Sequence, residues 1–260
     1  MVAKYAGSKL LDINWLVSLS PYEYSEFRSP FAGNEPLLWV IPTCVKRWIN
    51  DINPLVYQYW IALRDDDSLE DRWVRHCKRA DRSLTDAYYL FRSCCKRLIT
   101  GNHHPVDLLF VSYLAVKQQW GMYRSHFASF SPALAASHSW RAVTPERIIL
   151  AREIMQGVRI TNWDYQKVVS APGRNCWIYC DPPYDGAGRV YAYGFSALQR
   201  KDFARHMLRS RHRTLISLED SALTVKQFVT HPHFDSVPQM YRSRRTQKIN
   251  RQWYIANYSL

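Results

Sequence analysis

The segment Cys176–Tyr184 reads Cys-Trp-Ile-Tyr-Cys-Asp-Pro-Pro-Tyr. Its first five residues form a short apolar run that is typical of a buried strand. The two prolines that follow cannot continue the hydrogen bonding of a strand, so they predict a rigid turn where the strand ends. Open α/β sheets hold their ligands outside that end of their strands. We therefore predict the functional site of an α/β protein at residues 181–184, which we term the double-proline turn.

The residues of the double-proline turn suit the handling of an exocyclic amine on a flat base. Such an amine is a poor nucleophile because its lone pair is delocalised into the ring. The carboxylate of Asp181 and the carbonyl of Pro182 would accept its two hydrogens, Pro183 would keep the turn rigid, and the ring of Tyr184 would stack on a base removed from its duplex. An ordinary Asp-Pro turn beside a packed tyrosine is the alternative interpretation.

Composition indicates the kind of partner. The chain has 260 residues, of which 47% are apolar, and this length fits one α/β domain that carries an insertion. Lys and Arg number 35 against 22 Asp and Glu, which gives a formal charge of +13. Such a balance favours nucleic acid over a small neutral metabolite. Because we find neither a run of about 18 apolar residues nor a signal-peptide core, we expect a soluble, cytoplasmic protein without a membrane partner.

The cysteines and histidines do not form a recognisable metal motif. None of the six cysteines shows paired C-x-x-C spacing. Neither His103 with His104 nor His231 with His233 completes a set of ligands. We expect free thiols and no structural metal.

Strand and helix signals alternate at both ends of the chain. The segment Lys46–Asn50 predicts a strand that stops at Asp51, and Asn53 with Pro54 then opens a helix as its cap and first residue. The pattern predicts a Rossmann-like sheet, mostly parallel with an antiparallel C-terminal strand. The other predicted strands are Val158–Trp163, Cys176–Cys180, Arg213–Leu218 and the regions of Phe234–Met240 and Gln252–Tyr258, and the other predicted helices are Thr144–Gly157, Ser196–Arg209 and Ala222–Val229.

Residues 66–140 show helical patterns and no predicted strand. The expected helices are Ser68–Arg79, Ser83–Ile99 and Val106–Gln119. A solvated face is the ordinary interpretation of any one basic residue here, but together they favour a DNA-binding module. We therefore predict a catalytic domain of residues 1–65 and 141–260 with a helical insertion of residues 66–140. The basic residues of the insertion are Arg72, Arg75, Lys78, Arg79, Arg82, Arg92, Lys96, Arg97, Lys117 and Arg124.

The order of the motifs resembles the Dam-type DNA adenine N6-methyltransferases over nearly the whole chain. Lys4–Lys9 is similar to the K-W-A-G-G-K opening of that family, and Pro30–Gly33 is similar to its P-F-x-G cofactor loop. Asn50–Asn53 resembles its D-I-N segment, and Trp120–Arg124 resembles the N-G-L-Y-R stretch of its target-recognition part. Tyr179–Tyr184 matches Y-C-D-P-P-Y.

The resemblance implies a class I methyltransferase sheet, S-adenosylmethionine as cofactor and an adenine flipped out of DNA as substrate. A prokaryotic or viral restriction-modification setting is typical of this family. A carboxylate at the tip of the second strand, Asp51, is also where such folds hold a ribose. The residues expected to contact the cofactor are Tyr5, Lys9, Phe31, Gly33, Asp51 and Asp181. Arg124 is expected to read DNA by its place in the resemblance, and Arg244, Arg245 and Lys248 are expected to track phosphates.

Three departures from the family pattern leave alternatives open. Ser29 replaces the acidic residue before Pro-Phe, Glu35 replaces a small residue of the cofactor loop, and Ser243–Lys248 replaces a glycine-rich loop. A DNA-binding protein with a degenerate cofactor site is one alternative. Independently of these departures, a cytosine N4 methyltransferase is another alternative, because such an enzyme uses the same turn geometry.

Overall fold

A computed structural model describes residues 2–3, 9–116, 122–123, 126–127, 129–184, 195–219, 223–242 and 249–260. Its strands are β1 (Glu26–Ser29), β2 (Lys46–Asn50), β3 (Met122–Tyr123), β4 (His126–Phe127), β5 (Arg159–Thr161), β6 (Cys176–Cys180), β7 (Arg213–Glu219), β8 (Asp235–Arg242) and β9 (Ile249–Ala256). Its helices are α1 (Ile13–Ser18), α2 (Pro54–Asp65), α3 (Leu69–Ala80), α4 (Leu84–Thr100), α5 (Pro105–Leu114), α6 (Pro132–Ala136), α7 (Pro145–Met155), α8 (Tyr165–Val169), α9 (Ala197–Leu208) and α10 (Leu223–Val229).

A seven-stranded sheet has the order β5-β2-β1-β6-β7-β9-β8. Neighbouring strands from β5 to β7 are parallel, and β9 runs antiparallel to both β7 and β8. The predicted Rossmann-like sheet with an antiparallel C-terminal strand is confirmed. The strand order changes direction between β1 and β6, so the loops that follow these two strands border the crevice where such sheets hold ligands.

Local sequence signals explain where several elements begin. The side chain of Asn53 accepts a hydrogen bond from the backbone of Leu55 and caps α2, and Ser196 with Gln199 forms a capping box at the start of α9. The bounds of β2 and β6 agree with the sequence prediction. The strand β5 is shorter than predicted, because the side chain of Asn50 bonds both the N–H and the carbonyl of Trp163 and takes that residue out of the ladder.

The insertion differs from its prediction in two places. The structure contains a short antiparallel pair, β3 and β4, where no strand was predicted. Two-residue strands are too short to show an alternating pattern in sequence. The helix predicted to reach Gln119 ends at Leu114, because Ala115 is extended and pairs with Phe130.

The insertion shares its core with the sheet. One cluster of buried residues includes Phe27 and Ile49 of the sheet together with Trp73, Phe91 and Phe110 of the insertion. Burial of such large side chains contributes on the order of 1.5–3 kcal/mol each. The core thus holds the insertion in a fixed position beside the sheet. No helix in the described part of the chain combines the length and apolar character that a bilayer crossing requires.

Candidate active site

The double-proline turn follows β6 and carries a compact set of polar contacts. The Nζ of Lys9 lies 2.7 Å from one carboxylate oxygen of Asp181, and the hydroxyl of Tyr184 donates to the other at 3.1 Å. The ammonium group of Lys9 also lies 4.9 Å from the centre of the Tyr184 ring. The structure thus brings Lys9 to Asp181 and Tyr184, although Lys9 lies 172 residues before Asp181 along the chain.

The hydroxyl of Tyr184 also contacts side chains of β7 and β9. It lies 3.2 Å from the hydroxyl of Ser217 on β7 and accepts a hydrogen bond of 2.8 Å from the side chain of Gln252 on β9. Gln252 also donates to Ser217. Sequence reasoning missed Ser217 and Gln252. Both are buried polar residues within strands, and such residues require partners, which is the signal that would have found them.

The loop after β1 is tied to the end of β2 through a carboxylate. Gly33 has a positive φ of 46° and donates its backbone N–H to Asp51 at 2.8 Å. The other oxygen of Asp51 accepts a hydrogen bond of 2.9 Å from the backbone of Asn53. Burial raises the pKa of Asp51 to about 6 although both hydrogen bonds oppose that shift. Each carboxylate oxygen keeps a second lone pair, so Asp51 can still accept hydrogen bonds from hydroxyl groups of a ligand.

A cluster of aromatic side chains packs around Phe31 in the loop after β1. The ring of Phe31 stacks on Tyr165 at 5.2 Å with an interplanar angle of 28°. Phe195 and Phe203 contact Phe31 edge-on, with centroids 5.8 and 5.7 Å away. The sequence identified Phe31 but not its neighbours, which lie on segments whose packing no local pattern reveals. A partly exposed aromatic wall of this kind suits a flat ring.

Glu35 and Ser29, which depart from the family pattern, are in contact. The hydroxyl of Ser29 donates to the carboxyl of Glu35 at 2.5 Å, and both residues are buried. The other oxygen of Glu35 accepts the backbone N–H of Leu37 at 3.0 Å and caps a short 3₁₀ helix, Pro36–Trp39. Burial raises the pKa of Glu35 to about 7 despite these hydrogen bonds.

Several buried polar atoms around this crevice lack a hydrogen-bond partner in the described part of the chain. They are the side-chain oxygen of Asn34 and the hydroxyls of Tyr179 and Tyr254. A buried polar group without a partner costs roughly 1–3 kcal/mol, so native proteins retain few of them without a ligand or water to bind. Together with Asp51 and Asp181, these atoms fit a ligand that carries hydroxyl and charged groups.

Five of the predicted site residues lie outside the described residues. They are Tyr5, Arg124, Arg244, Arg245 and Lys248. Their predicted roles in cofactor binding and DNA binding stay predictions.

The insertion carries a cluster of arginines between α3 and α4. A cavity of about 280 Å³ is lined by Arg72, Arg75 and Arg79 of α3 and by Arg97 of α4. Arg97 donates to Asp107 at 2.8 and 2.5 Å. Burial alone would raise the pKa of Asp107, but the hydrogen bonds from Arg97 and neighbouring groups hold it well below its usual range.

A second feature of the same region has the composition of a metal site. His76, Cys94 and Asp107 bring possible ligand atoms within 4.8 Å of one another, which sequence analysis did not identify. The guanidinium of Arg97 donates to both Asp107 and the sulfur of Cys94 and so supplies positive charge at the cluster. Burial raises the pKa of Cys94 well above its usual value. The cluster is explained as a structural ion pair.

Comparisons with known proteins found one family model and several solved structures that match the chain. A family model described as "D12 class N6 adenine-specific DNA methyltransferase" matches residues 5–250. One matching solved structure is described as "Crystal structure of cofactor-bound Rv0187 from MTB"; it is 10% identical in sequence, with 78% of this chain and 96% of that chain covered and a TM-score of 0.27. No curated protein matches the chain. The family model, which spans most of the chain, is the finding that identifies it.

Proposed function

The chain belongs to the D12 class N6 adenine-specific DNA methyltransferases, and we propose that S-adenosylmethionine is its methyl donor, bound between the loop after β1 and the double-proline turn. The cofactor would supply an electrophilic methyl group. The observation that carries this proposal is the meeting of two contacts at one crevice: Asp51 with Gly33, and Lys9 with Asp181.

The parts of the crevice correspond to the chemical parts of the cofactor. Asp51, at the tip of β2, would accept hydrogen bonds from the ribose hydroxyls. The partly exposed ring of Phe31 would contact the flat adenine ring, and Tyr165 stacks on it. The unpartnered oxygen of Asn34 and hydroxyl of Tyr179 would bind the charged amino-acid end. Tyr5 would add a contact from the N-terminal motif.

The double-proline turn would hold the amine of the flipped adenine. Asp181 and the carbonyl of Pro182 would accept its two hydrogens and direct its lone pair at the methyl group. Lys9 fixes the position of Asp181 and covers one face of the Tyr184 ring, so the base would stack on the other face. No general base of shifted pKa is needed, because the amine proton becomes acidic only after the nitrogen carries the methyl group.

The insertion would contribute DNA contacts. The arginine cluster of α3 and α4 presents several guanidinium groups around one small cavity, and a phosphate group fits that charge and size. Arg244, Arg245 and Lys248 would add phosphate contacts. Arg124 would read bases, and residues 66–140 would act as the target-recognition part.

Calorimetric titration with S-adenosylmethionine tests the choice of cofactor. We expect binding by the wild-type protein, with or without duplex DNA, and at least tenfold weaker binding after Asp51→Ala. Lys9→Ala should also weaken cofactor binding more than it weakens DNA binding. Asp202→Ala is the matched control, because that carboxylate lies on α9 and pairs with Arg205. A wild-type protein that shows no heat with the cofactor, even in the presence of DNA, would contradict the proposal.

A further inference from the structure

Glu35 carries a buried carboxyl group at the cofactor crevice. This group has no role in the methyl transfer described above. Its side chain reaches back to Ser29, and the two residues are 2% and 1% exposed. The family pattern places its acidic residue at the position of Ser29 and a small residue at the position of Glu35. In this chain the carboxyl comes from a position six residues later and lies against the same site.

Among the described residues, few groups balance a negative charge on Glu35. The charged groups that act on it are Lys9, which favours the ionised form, and Asp181, which disfavours it. Lys9 is already in contact with Asp181 at 2.7 Å. From β6, Tyr179 and Cys180 also face it, and burial keeps both of them protonated by raising their pKa values. Burial therefore dominates, and it raises the pKa of Glu35 to about 7.

The residue next to Glu35 in the sequence, Asn34, indicates that a hydrogen-bond donor of a ligand enters this loop. Asn34 donates its side-chain N–H to the carbonyl of Ala3 at 2.7 Å, which fixes the orientation of its amide. Its side-chain oxygen is buried and has no hydrogen-bond partner in the part of the chain that the structure describes. An amide oxygen accepts hydrogen bonds and cannot donate them, so the missing partner is a donor such as an ammonium group.

We propose that Glu35 is a positioning residue for the methyl donor: its ionised carboxylate balances the positive charge of the bound cofactor, and binding expels the proton that Glu35 carries in the free protein. This inference rests on the proposed use of S-adenosylmethionine, whose sulfonium and ammonium groups are positive. The expelled proton passes to the buffer, and no bond of the cofactor is altered. The loop of this chain thereby retains an acidic group although Ser29 has none.

Affinity for the cofactor should depend on pH through the ionisation of Glu35. The free protein holds Glu35 about half protonated at pH 7, whereas the complex requires the ionised form. Affinity for the cofactor should therefore rise roughly tenfold between pH 6 and pH 8 and stay constant above that range. Asp51, with a pKa of about 6, adds a smaller effect at the acidic end.

Calorimetry in two buffers of different ionisation enthalpy measures the number of protons released on binding. The wild-type protein should release roughly half a proton from Glu35 at pH 7. Glu35→Gln keeps the shape of the side chain and an acceptor for Leu37, and it should abolish that part of the release. Its affinity at pH 8 should fall about tenfold and vary less with pH. The amino group of the cofactor titrates in the same way in both proteins and cancels in the difference.

Asp12→Asn is the matched control, because the carboxyl of Asp12 also lies near Lys9 and Asp181 but outside the loop. It should release as many protons as the wild type. Equal release by the wild type and Glu35→Gln would overturn the proposal and leave Glu35 as a helix cap. If Glu35→Gln fails to fold, the pH dependence of the wild type provides the test. A wild-type affinity for the cofactor that does not change between pH 6 and pH 8 would overturn the proposal. Absence of any cofactor binding would instead contradict the proposed function on which the inference rests.

Discussion

The pKa values of buried carboxyl groups are shifted in opposite directions in the crevice and in the insertion. In the crevice, burial raises the pKa values of Glu35 and Asp51 to about 7 and about 6. In the insertion, hydrogen bonds from Arg97, His76 and a backbone N–H hold the pKa of Asp107 well below its usual range. The insertion thus has its buried charge balanced by the protein itself. In the crevice, burial outweighs the charges and hydrogen bonds that act on Glu35 and Asp51, and pKa values shifted in this way are typical of sites whose polar groups act in binding.

The largest expected effect concerns stability. Asp107→Ala should lower the free energy of unfolding by roughly 3–5 kcal/mol, because it removes the hydrogen bonds that the buried carboxylate accepts from Arg97 and from the backbone of His104. Glu35→Gln should instead raise the stability of the cofactor-free protein at pH 8 by about 1–3 kcal/mol, because it removes a buried charge. Urea unfolding of the two variants beside the wild type measures both changes. Similar destabilisation in both variants would remove the contrast between the two regions.

The pH dependence of stability separates the same groups. The pKa of Asp107 is lower in the folded protein, so its contribution is present above the unfolded value of about 4 and is lost as the pH falls below it. The pKa of Glu35 is higher in the folded protein, so its effect on stability worsens as the pH rises from about 4.5 to about 7. Between about pH 4.5 and about pH 7, the free energy of unfolding of Glu35→Gln should therefore fall less than that of the wild type.

The next effect concerns catalysis at the double-proline turn. Asp181→Ala should lower turnover roughly a hundredfold or more, because its hydrogen bond strengthens as charge develops on the adenine nitrogen. Binding of duplex DNA should persist, since the arginines proposed to contact phosphates are unchanged. Single-turnover methyl transfer and a DNA-binding titration on the same preparation measure the two properties. Unchanged methylation by Asp181→Ala would contradict the proposed role of Asp181 in holding the adenine amine.

A smaller effect concerns Tyr184. Stacking of a base on an aromatic ring is worth on the order of 1–3 kcal/mol, so Tyr184→Ala should reduce methyl transfer strongly. Tyr184→Phe should be mild, because Ser217 and Gln252 stay hydrogen-bonded to each other when the hydroxyl is removed. Equal loss in both variants would show that the hydroxyl, and not the ring face, carries the function.

The smallest effect concerns the dependence of DNA affinity on salt concentration. If the arginine cluster tracks phosphates, replacing Arg72 and Arg79 with Gln should make the log-log dependence of DNA affinity on salt shallower by about two units. The same result is expected for Arg244 with Arg245. Replacing Arg205 and Arg209 at the end of α9 is the matched control for charge. Arg124→Ala should reduce discrimination between DNA sites more than it alters the slope. An unchanged slope in both test variants would leave these arginines as solvated surface.

Sequence alone predicted the parts of the fold and site that local chemistry determines. The double prolines marked the end of β6, and the cap at Asn53 marked the start of α2. The family resemblance assigned Lys9, Gly33, Asp51 and Asp181 to one cofactor site, and in the structure Lys9 contacts Asp181 and Gly33 contacts Asp51.

Features that depend on distant pairing could not be read from sequence. Ser217 and Gln252 meet Tyr184 only through the register of β7 and β9. The contact of Ser29 with Glu35 requires the loop to fold back on its own strand. The pair formed by Arg97 and Asp107 depends on the angle between α4 and α5. The pair β3 and β4 is too short for a periodic signal.

The identity of the methylated nucleoside tests the central claim most directly. Duplex DNA incubated with the wild-type protein and methyl-labelled S-adenosylmethionine would be digested to nucleosides, and the label located by mass spectrometry. The account predicts N6-methyladenine, confined to specific sites and lost with Asp181→Ala. Label in N4-methylcytosine, or a wild-type protein that binds both cofactor and DNA without transferring label, would contradict it.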